Sequence, residues 1–249
     1  MAGRPALAPL SLPMRPLHLP GDYARIHIVH SFQELLTTPL VQGINALCWP
    51  RQLEGDFNEV VEKLGGCEGV LPLDEDLLQA LPLSPSGQVA IATMLQDHRL
   101  LQEHGLAPEL NCIRAYPRDE APDIVPTDVY SFHADSATTE ADTYLCTYHG
   151  ASSEGLRNDQ ALRRVDIPEI RADLLQQYGG EDDEDFQAYL SDHCYDLHYA
   201  PAPQAQPFSF GLGHLWRVAV DYPDSPVPPC IHRAPDQAPD DPPRLLLIS

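Results

Sequence analysis

The sequence predicts an α+β protein, helical in its first half and a β-sandwich or barrel in its second. Three observations point there. Up to about residue 105, apolar residues recur at helical spacing behind capping signals. From residue 108 the pattern changes to short alternating runs rich in strand formers. The 26 prolines in 249 residues, about twice the ordinary share, favour short elements joined by stiff turns.

Residues 1–20 read as a disordered, proline-rich tail, and residues 21–249 as one domain. Within it, 21–107 is mainly helical support and 108–249 is the β core. Ser31 with Glu34, and Asp56 with Glu59, form capping boxes. Behind the second, Phe57, Val60, Val61 and Leu64 sit at helical spacing, and Gly65-Gly66 stops the helix. A longer helix starts after Ser86. Ile91, Met94, Leu95, His98 and Leu101 form its apolar stripe, with His98 read as a packed core residue, and Gly105 closes it. The strand-like runs are ELNCIRAYPR, DVYSFHAD, DTYLCTYHG, PFSFGLG, LWRVAVDY, PPCIHR and PRLLLIS. Between the third and fourth runs, residues 166–194 read as an inserted pair of helices joined by the acidic linker EDDED.

The formal charge of −22 repels phosphate backbones and anionic membrane surfaces, which argues against nucleic acid and lipid as direct partners. No run of 18 apolar residues occurs, so no membrane span is expected. The six cysteines are scattered and none forms a C-x-x-C pair, the pattern of reduced thiols in a cytoplasmic protein. Lys63 is the single lysine and lies on an exposed helix face, which removes most lysine chemistry. No G-x-G-x-x-G or P-loop is present to hold a nucleotide. No feature names a substrate or an oligomeric state.

The candidate chemistry centres on His133-Ala134-Asp135. In a strand, residues i and i+2 project from the same face, so an imidazole and a carboxylate would grip one divalent metal together. A histidine from a distant strand would complete a two-histidine, one-carboxylate set that leaves three coordination positions open. An H-x-D triplet is common by chance in a chain with 11 histidines, but this one lies in a predicted strand at the start of the β-rich half. His232 ends another predicted strand 97 residues after Asp135, and Arg244 opens the last strand twelve residues further on. An arginine so placed can hold a carboxylate by a bidentate contact.

This order of H-x-D, distant His and following Arg resembles that of the iron(II)/2-oxoglutarate-dependent dioxygenases. More narrowly, FHADS, LCTYHG, IHRAP and RLLLIS, together with the early segment NALCWPR, resemble an uncharacterised bacterial domain family with F-H-x-D, T-Y-x-G, I-H-R-x-P and terminal R-L-L-L motifs. The chain departs from that pattern at ASSEGL (151–156), where a threonine and a tryptophan are expected. The resemblance implies a double-stranded β-helix, the jelly-roll or cupin-like barrel. It also implies iron(II) bound by His133, Asp135 and His232, and 2-oxoglutarate with its far carboxylate on Arg244, in an oxygenase acting as a hydroxylase. Tyr144 and Thr147 are further candidate contacts to the co-substrate, although their opposite strand parity sends them to opposite faces. His149, Arg233 and Arg217 are candidate substrate contacts. Arg217 also reads as a barrel-strand ion pair, and Arg233 is expected on the face opposite His232. The cluster His193, Cys194 and His198 lacks the spacing of a closed zinc site. Two other readings stay open: a cupin-like metalloprotein that does not use 2-oxoglutarate, and a non-enzymatic binding protein on the same scaffold.

Overall fold

The structure, a computed structural model, describes residues 18–118, 123–238 and 240–249. Most of the expected tail therefore lies outside the described residues. The strands are β1 (Ile26–Ile28), β2 (Ala46–Trp49), β3 (Val70–Pro72), β4 (Glu109–Ile113), β5 (Phe132–His133), β6 (Asp142–His149), β7 (Glu154–Leu156), β8 (Ala161–Arg163), β9 (His198–Pro201), β10 (Phe208–Ser209), β11 (Leu215–Ala219), β12 (Ile231–Arg233) and β13 (Arg244–Ile248). They form a seven-stranded sheet in the order β1-β2-β11-β6-β13-β4-β3 and a six-stranded sheet in the order β10-β7-β12-β5-β9-β8. All pairings are antiparallel except β1 with β2. The chain is thus a mixed α and β protein with two sheets. All seven predicted strand runs contain a strand. Three further strands lie among the helices of the first half, and β7, β8 and β9 add to the second.

The helices are α1 (Phe32–Thr37), α2 (Phe57–Leu64), α3 (Glu75–Gln79), α4 (Pro85–Glu103), α5 (Pro168–Tyr178) and α6 (Glu184–Asp192). Ser31 and Asp56 accept the backbone N–H groups of Glu34 and Glu59, as the capping pattern predicts. The carboxylates do not close reciprocal boxes. Glu34 accepts from the backbone of His30, and Glu59 reaches across to Ser84, itself the N-cap of α4. Gly65 ends α2 at φ 75°, the left-handed conformation a side chain resists. No helix among the described residues is long and apolar enough to cross a membrane.

Cross-strand partners share a face, so register sorts the side chains of the seven-stranded sheet. Leu47, Tyr144, Cys146, Tyr148, Leu215, Leu245 and Leu247 pack with α1 to α4 in one core. On the other face Ala46, Cys48, Leu145, Trp216 and Val218 meet Phe208, Phe210 and Cys230 from the second sheet side. There Phe210 stacks on Trp216 at 4.4 Å, and the indole N–H donates to the Phe210 carbonyl. α5 and α6 have a separate core around Leu174 and Phe186.

The helix layer is pinned by a buried ion pair. Arg51, just past β2, donates to both carboxylate oxygens of Asp97 on α4 at 2.6 and 2.8 Å, and the Tyr148 hydroxyl donates to the same carboxylate at 2.7 Å. Asp97 is only 3% exposed, whereas the neighbouring His98 is half-buried. Ile91, Met94, Leu95 and Leu101 of the expected stripe are buried, and at its polar position Asp97 is buried beside His98 because a guanidinium and a phenol satisfy its carboxylate. Asp97→Ala leaves the Arg51 cation buried without its counter-charge. It is expected to cost about 3–5 kcal/mol in denaturant unfolding. The double variant Arg51→Met/Asp97→Leu should lose less than that single change.

Candidate metal centre

β12 lies between β7 and β5, and its register places His232 directly opposite both His133 and Gly155. β5 also pairs with β9, with His133 opposite His198. One row across the sheet therefore reads Phe208, Gly155, His232, His133, His198. Phe208 belongs to the core between the sheets, so the row faces inward. Phe132, Leu156 and Ile231, one step away on each strand, form a separate outer cluster. Gly155 is required where it stands. A Cβ there would come within 2.3 Å of the Phe208 ring and 2.7 Å of the Phe210 ring, which pack against the site.

The His133 and His232 rings lie 4.8 Å apart. Asp135, just past β5, places its two carboxylate oxygens 3.6 Å from Nε2 of His133 and 3.7 Å from Nε2 of His232. One ligand atom from each of the three residues falls within 4.8 Å of the others. Adjacent ligands on an ion with bonds of about 2.1 Å sit about 3 Å apart, so side-chain movements of up to roughly 1 Å per residue gather them. Nδ1 of His133 lies 2.8 Å from the Ser131 carbonyl, and Nδ1 of His232 lies 3.3 Å from the Cys230 carbonyl. A carbonyl only accepts, so Nδ1 donates in both rings and Nε2 is the atom each ring turns toward Asp135. This is how metal-binding imidazoles are oriented.

Burial, aided by repulsion from His232, holds the His133 imidazole down to about 4, so it is neutral near pH 7. Burial alone would raise the Asp135 carboxyl. The neighbouring His232, the Thr143 hydroxyl and His133 outweigh it and lower the value below the ordinary carboxylate range. Thr143 donates to Asp135 Oδ2 at 2.6 Å from the inner face of β6. Two oriented imidazoles and one carboxylate make a donor set that fits a divalent transition metal with open positions. Among the described residues this is the one group of such side chains close enough to hold an ion.

Arg244 opens β13 opposite Ile113 and is 1% exposed. Its Nε donates to the Ala151 carbonyl at 2.7 Å and its Nη2 to the Ser153 hydroxyl at 3.0 Å. The charged or titratable groups around it are the tyrosines Tyr116 and Tyr130, and it forms no ion pair with a described carboxylate. Burial lowers its basicity despite Tyr116. Gly150, at φ +79°, lets the chain pass here. A Cβ would meet the Pro243 carbonyl at 2.8 Å and Arg244 Cα at 3.0 Å.

The other sequence candidates scatter. Thr147 is buried, with Leu246 and Asn111 as its row partners on the face of the sheet that also carries Arg244. Tyr144 lies on the helix side, in the core with α1 to α4. His149 pairs with Leu245 on that same side, where Asp56 and Glu62 of α2 lie near it. Arg217 pairs with Asp142 at 2.7 Å and donates to the Leu35, Leu36 and Thr38 carbonyls at the end of α1. Arg233 pairs with Glu154 and Asp236 and covers the Phe132 ring, on the opposite face from His232. His193 is exposed, while His198 is buried 5.7 Å from the His133 ring. Sequence reasoning missed Thr143, Ser153, Tyr116, Gly150 and Gly155. Thr143 carried one usable signal, since it shares strand parity with Leu145 and Thr147.

His232→Ala is expected to abolish binding of cobalt(II) or iron(II) in calorimetric titration while the circular dichroism spectrum is unchanged. Thr143→Val frees the Asp135 carboxylate to rotate and should weaken metal binding about 10–100-fold. An unchanged affinity in that variant would remove Thr143 from the site. Compared with family models, with curated proteins and with solved structures, the chain gives no match, so the reading of the site rests on its own residues.

Proposed function

We propose that the chain is an iron(II)- and 2-oxoglutarate-dependent oxygenase, a hydroxylase, and that its two sheets are the halves of a double-stranded β-helix. The observation that carries this reading is a pair of features on one inner surface. His133, Asp135 and His232 converge with their metal-binding atoms aimed together, and a buried guanidinium, Arg244, on the facing sheet pairs with no carboxylate among the described residues. Metal sites of many reaction classes use the first feature. The second favours an anionic co-substrate.

Strand β7 links the two. Ser153, which holds Arg244, is two residues from Gly155, which faces His232. Two residues of strand span about 7 Å, the scale of a five-carbon diacid. In this reading His133, Asp135 and His232 would hold the ion and would leave part of its coordination sphere open to the co-substrate. Iron, when bound, supplies dioxygen activation coupled to oxidative decarboxylation of the 2-oxo acid. Arg244 takes the far carboxylate, with Ser153 and Tyr116 fixing the guanidinium plane. Thr143 keeps the Asp135 carboxylate turned toward the histidines. Trp216, Phe210 and Phe208 exclude water from the flank behind His232.

The test is an anaerobic titration. Adding 2-oxoglutarate to the iron(II) protein should produce a visible charge-transfer band. Metal binding without that band would favour the cupin-like alternative, and no metal binding would favour a non-enzymatic role. Arg244→Met should retain iron(II) and raise the apparent Kd for 2-oxoglutarate at least about tenfold, from loss of a charge-assisted contact of roughly 1.5–3 kcal/mol. Because the cation is buried without a counter-charge among the described residues, the same variant should be as stable as the parent or more so in the absence of ligand. Normal 2-oxoglutarate use by Arg244→Met would sink the co-substrate assignment.

A further inference from the structure

Cys67 and Cys112 are 45 residues apart and form no sequence motif, yet their sulfurs lie 3.4 Å from each other. Both are free thiols. Cys67 sits half-buried in the turn between α2 and β3, and Cys112 is buried in the middle of β4 opposite Leu71. The turn contains Gly65, Gly66 and Gly69, all at positive φ, and a Cβ on Gly65 or Gly66 would meet nothing within 4 Å. That open, glycine-rich backbone can give the small approach needed to bring 3.4 Å down to a bond of about 2.05 Å. The other thiols have no such option. Cys48, Cys146 and Cys230 are buried and Cys194 is exposed, and among the described residues none of the four has a second sulfur in contact; the Cys146 sulfur accepts from Arg51 instead.

We propose that Cys67 and Cys112 are a reversible dithiol–disulfide pair, oxidised by exchange with a small disulfide such as oxidised glutathione. Cys67, the more accessible sulfur, attacks as thiolate. One glutathione thiolate leaves and a mixed disulfide stays on Cys67. Cys112, whose thiol is pushed up to about 12 by burial and by the Cys67 contact, stays protonated until this stage. Its sulfur then attacks the Cys67 sulfur, the second glutathione departs, and the Cys112 proton goes with it. Two protein thiols and one glutathione disulfide become one protein disulfide and two glutathione thiols. The bond ties the end of α2 and edge strand β3 to β4, next to Ile113, the cross-strand partner of Arg244.

The test incubates the reduced full-length protein with oxidised glutathione, blocks remaining thiols and digests with trypsin without reductant. Cleavage after Lys63, Arg99 and Arg114 places the two cysteines in peptides 64–99 and 100–114. The expected product is these two peptides joined, two hydrogens lighter than their sum, and released by dithiothreitol. Cys67→Ser should remove it and Cys194→Ser should not. Closing this long loop should also raise the melting temperature by roughly 5–10 °C in the parent and not in Cys67→Ser. Glutathione that stays attached to Cys67, thiols recovered unchanged, or a bridge that vanishes in Cys194→Ser would each overturn the pairing.

Discussion

The candidate site depends on one register. β12 is three residues long, and its pairing with β5 and β7 decides which of Ile231, His232 and Arg233 faces inward. A slip of one residue would turn His232 to the outer face and bring Ile231 or Arg233 in. Two ladders alone are a slight hold on so short a strand. The rest comes from its flanks. Asn45 donates through its side-chain amide to the carbonyls of Pro228 and Pro229, and Asn158 donates to Pro229. Cys230 donates its backbone N–H to Ala219, and Ala234 donates to Val129. The double proline also removes two backbone donors and fixes φ where the strand begins. His232 is thus delivered by backbone bonds at both ends.

Once that register is set, the electrostatics follow. Neither histidine is free to turn, because each Nδ1–H is bound to a carbonyl two residues earlier in its own strand. Burial and the adjacent ring keep His133 neutral, so its lone pair stays available. Both Nε2 atoms turn toward the Asp135 oxygens at 3.6 and 3.7 Å, a gap that an ion between them would fill. Arg244 presents the opposite imbalance, a buried cation that no carboxylate among the described residues compensates. Both departures from the ordinary pairing of buried charge lie on the same inner surface. The contrast is with Arg51 and Asp97 on the helix side, which pair fully with each other.

The sequence made part of this legible. Strand parity placed His133 and Asp135 on one face and sent Arg233 away from His232, because a period of two is a local property of the chain. The long helix and its glycine stop were readable for the same reason. β2 was not, since Ala46, Leu47 and Cys48 are buried on both faces and a run apolar throughout shows no alternation. β7 and β8 are three residues long and exist because a partner strand lies beside them. His149 escaped parity through the register shift between Leu245 and Leu246, which puts it with Leu245 on the helix side. The contacts of Thr143, Ser153 and Tyr116 join residues that only the folded sheets bring together.

The seven-stranded sheet therefore divides two kinds of work between its faces. Its helix side carries Asp97, Arg51, Tyr148 and the Arg217–Asp142 pair, each satisfied within the protein. Its inner side carries Thr143, Thr147, Asn111 and Arg244, facing the histidine row. Because neighbours in a strand alternate, a constraint on one face is one peptide unit from the other. Cys112 is packed on the helix side and Ile113 beside Arg244 on the inner side. A covalent tie at the first restrains the second through a rigid, fully hydrogen-bonded strand. A change in thiol state at the outer edge of this sheet thus has a direct mechanical route to the arginine that the site offers to an anion.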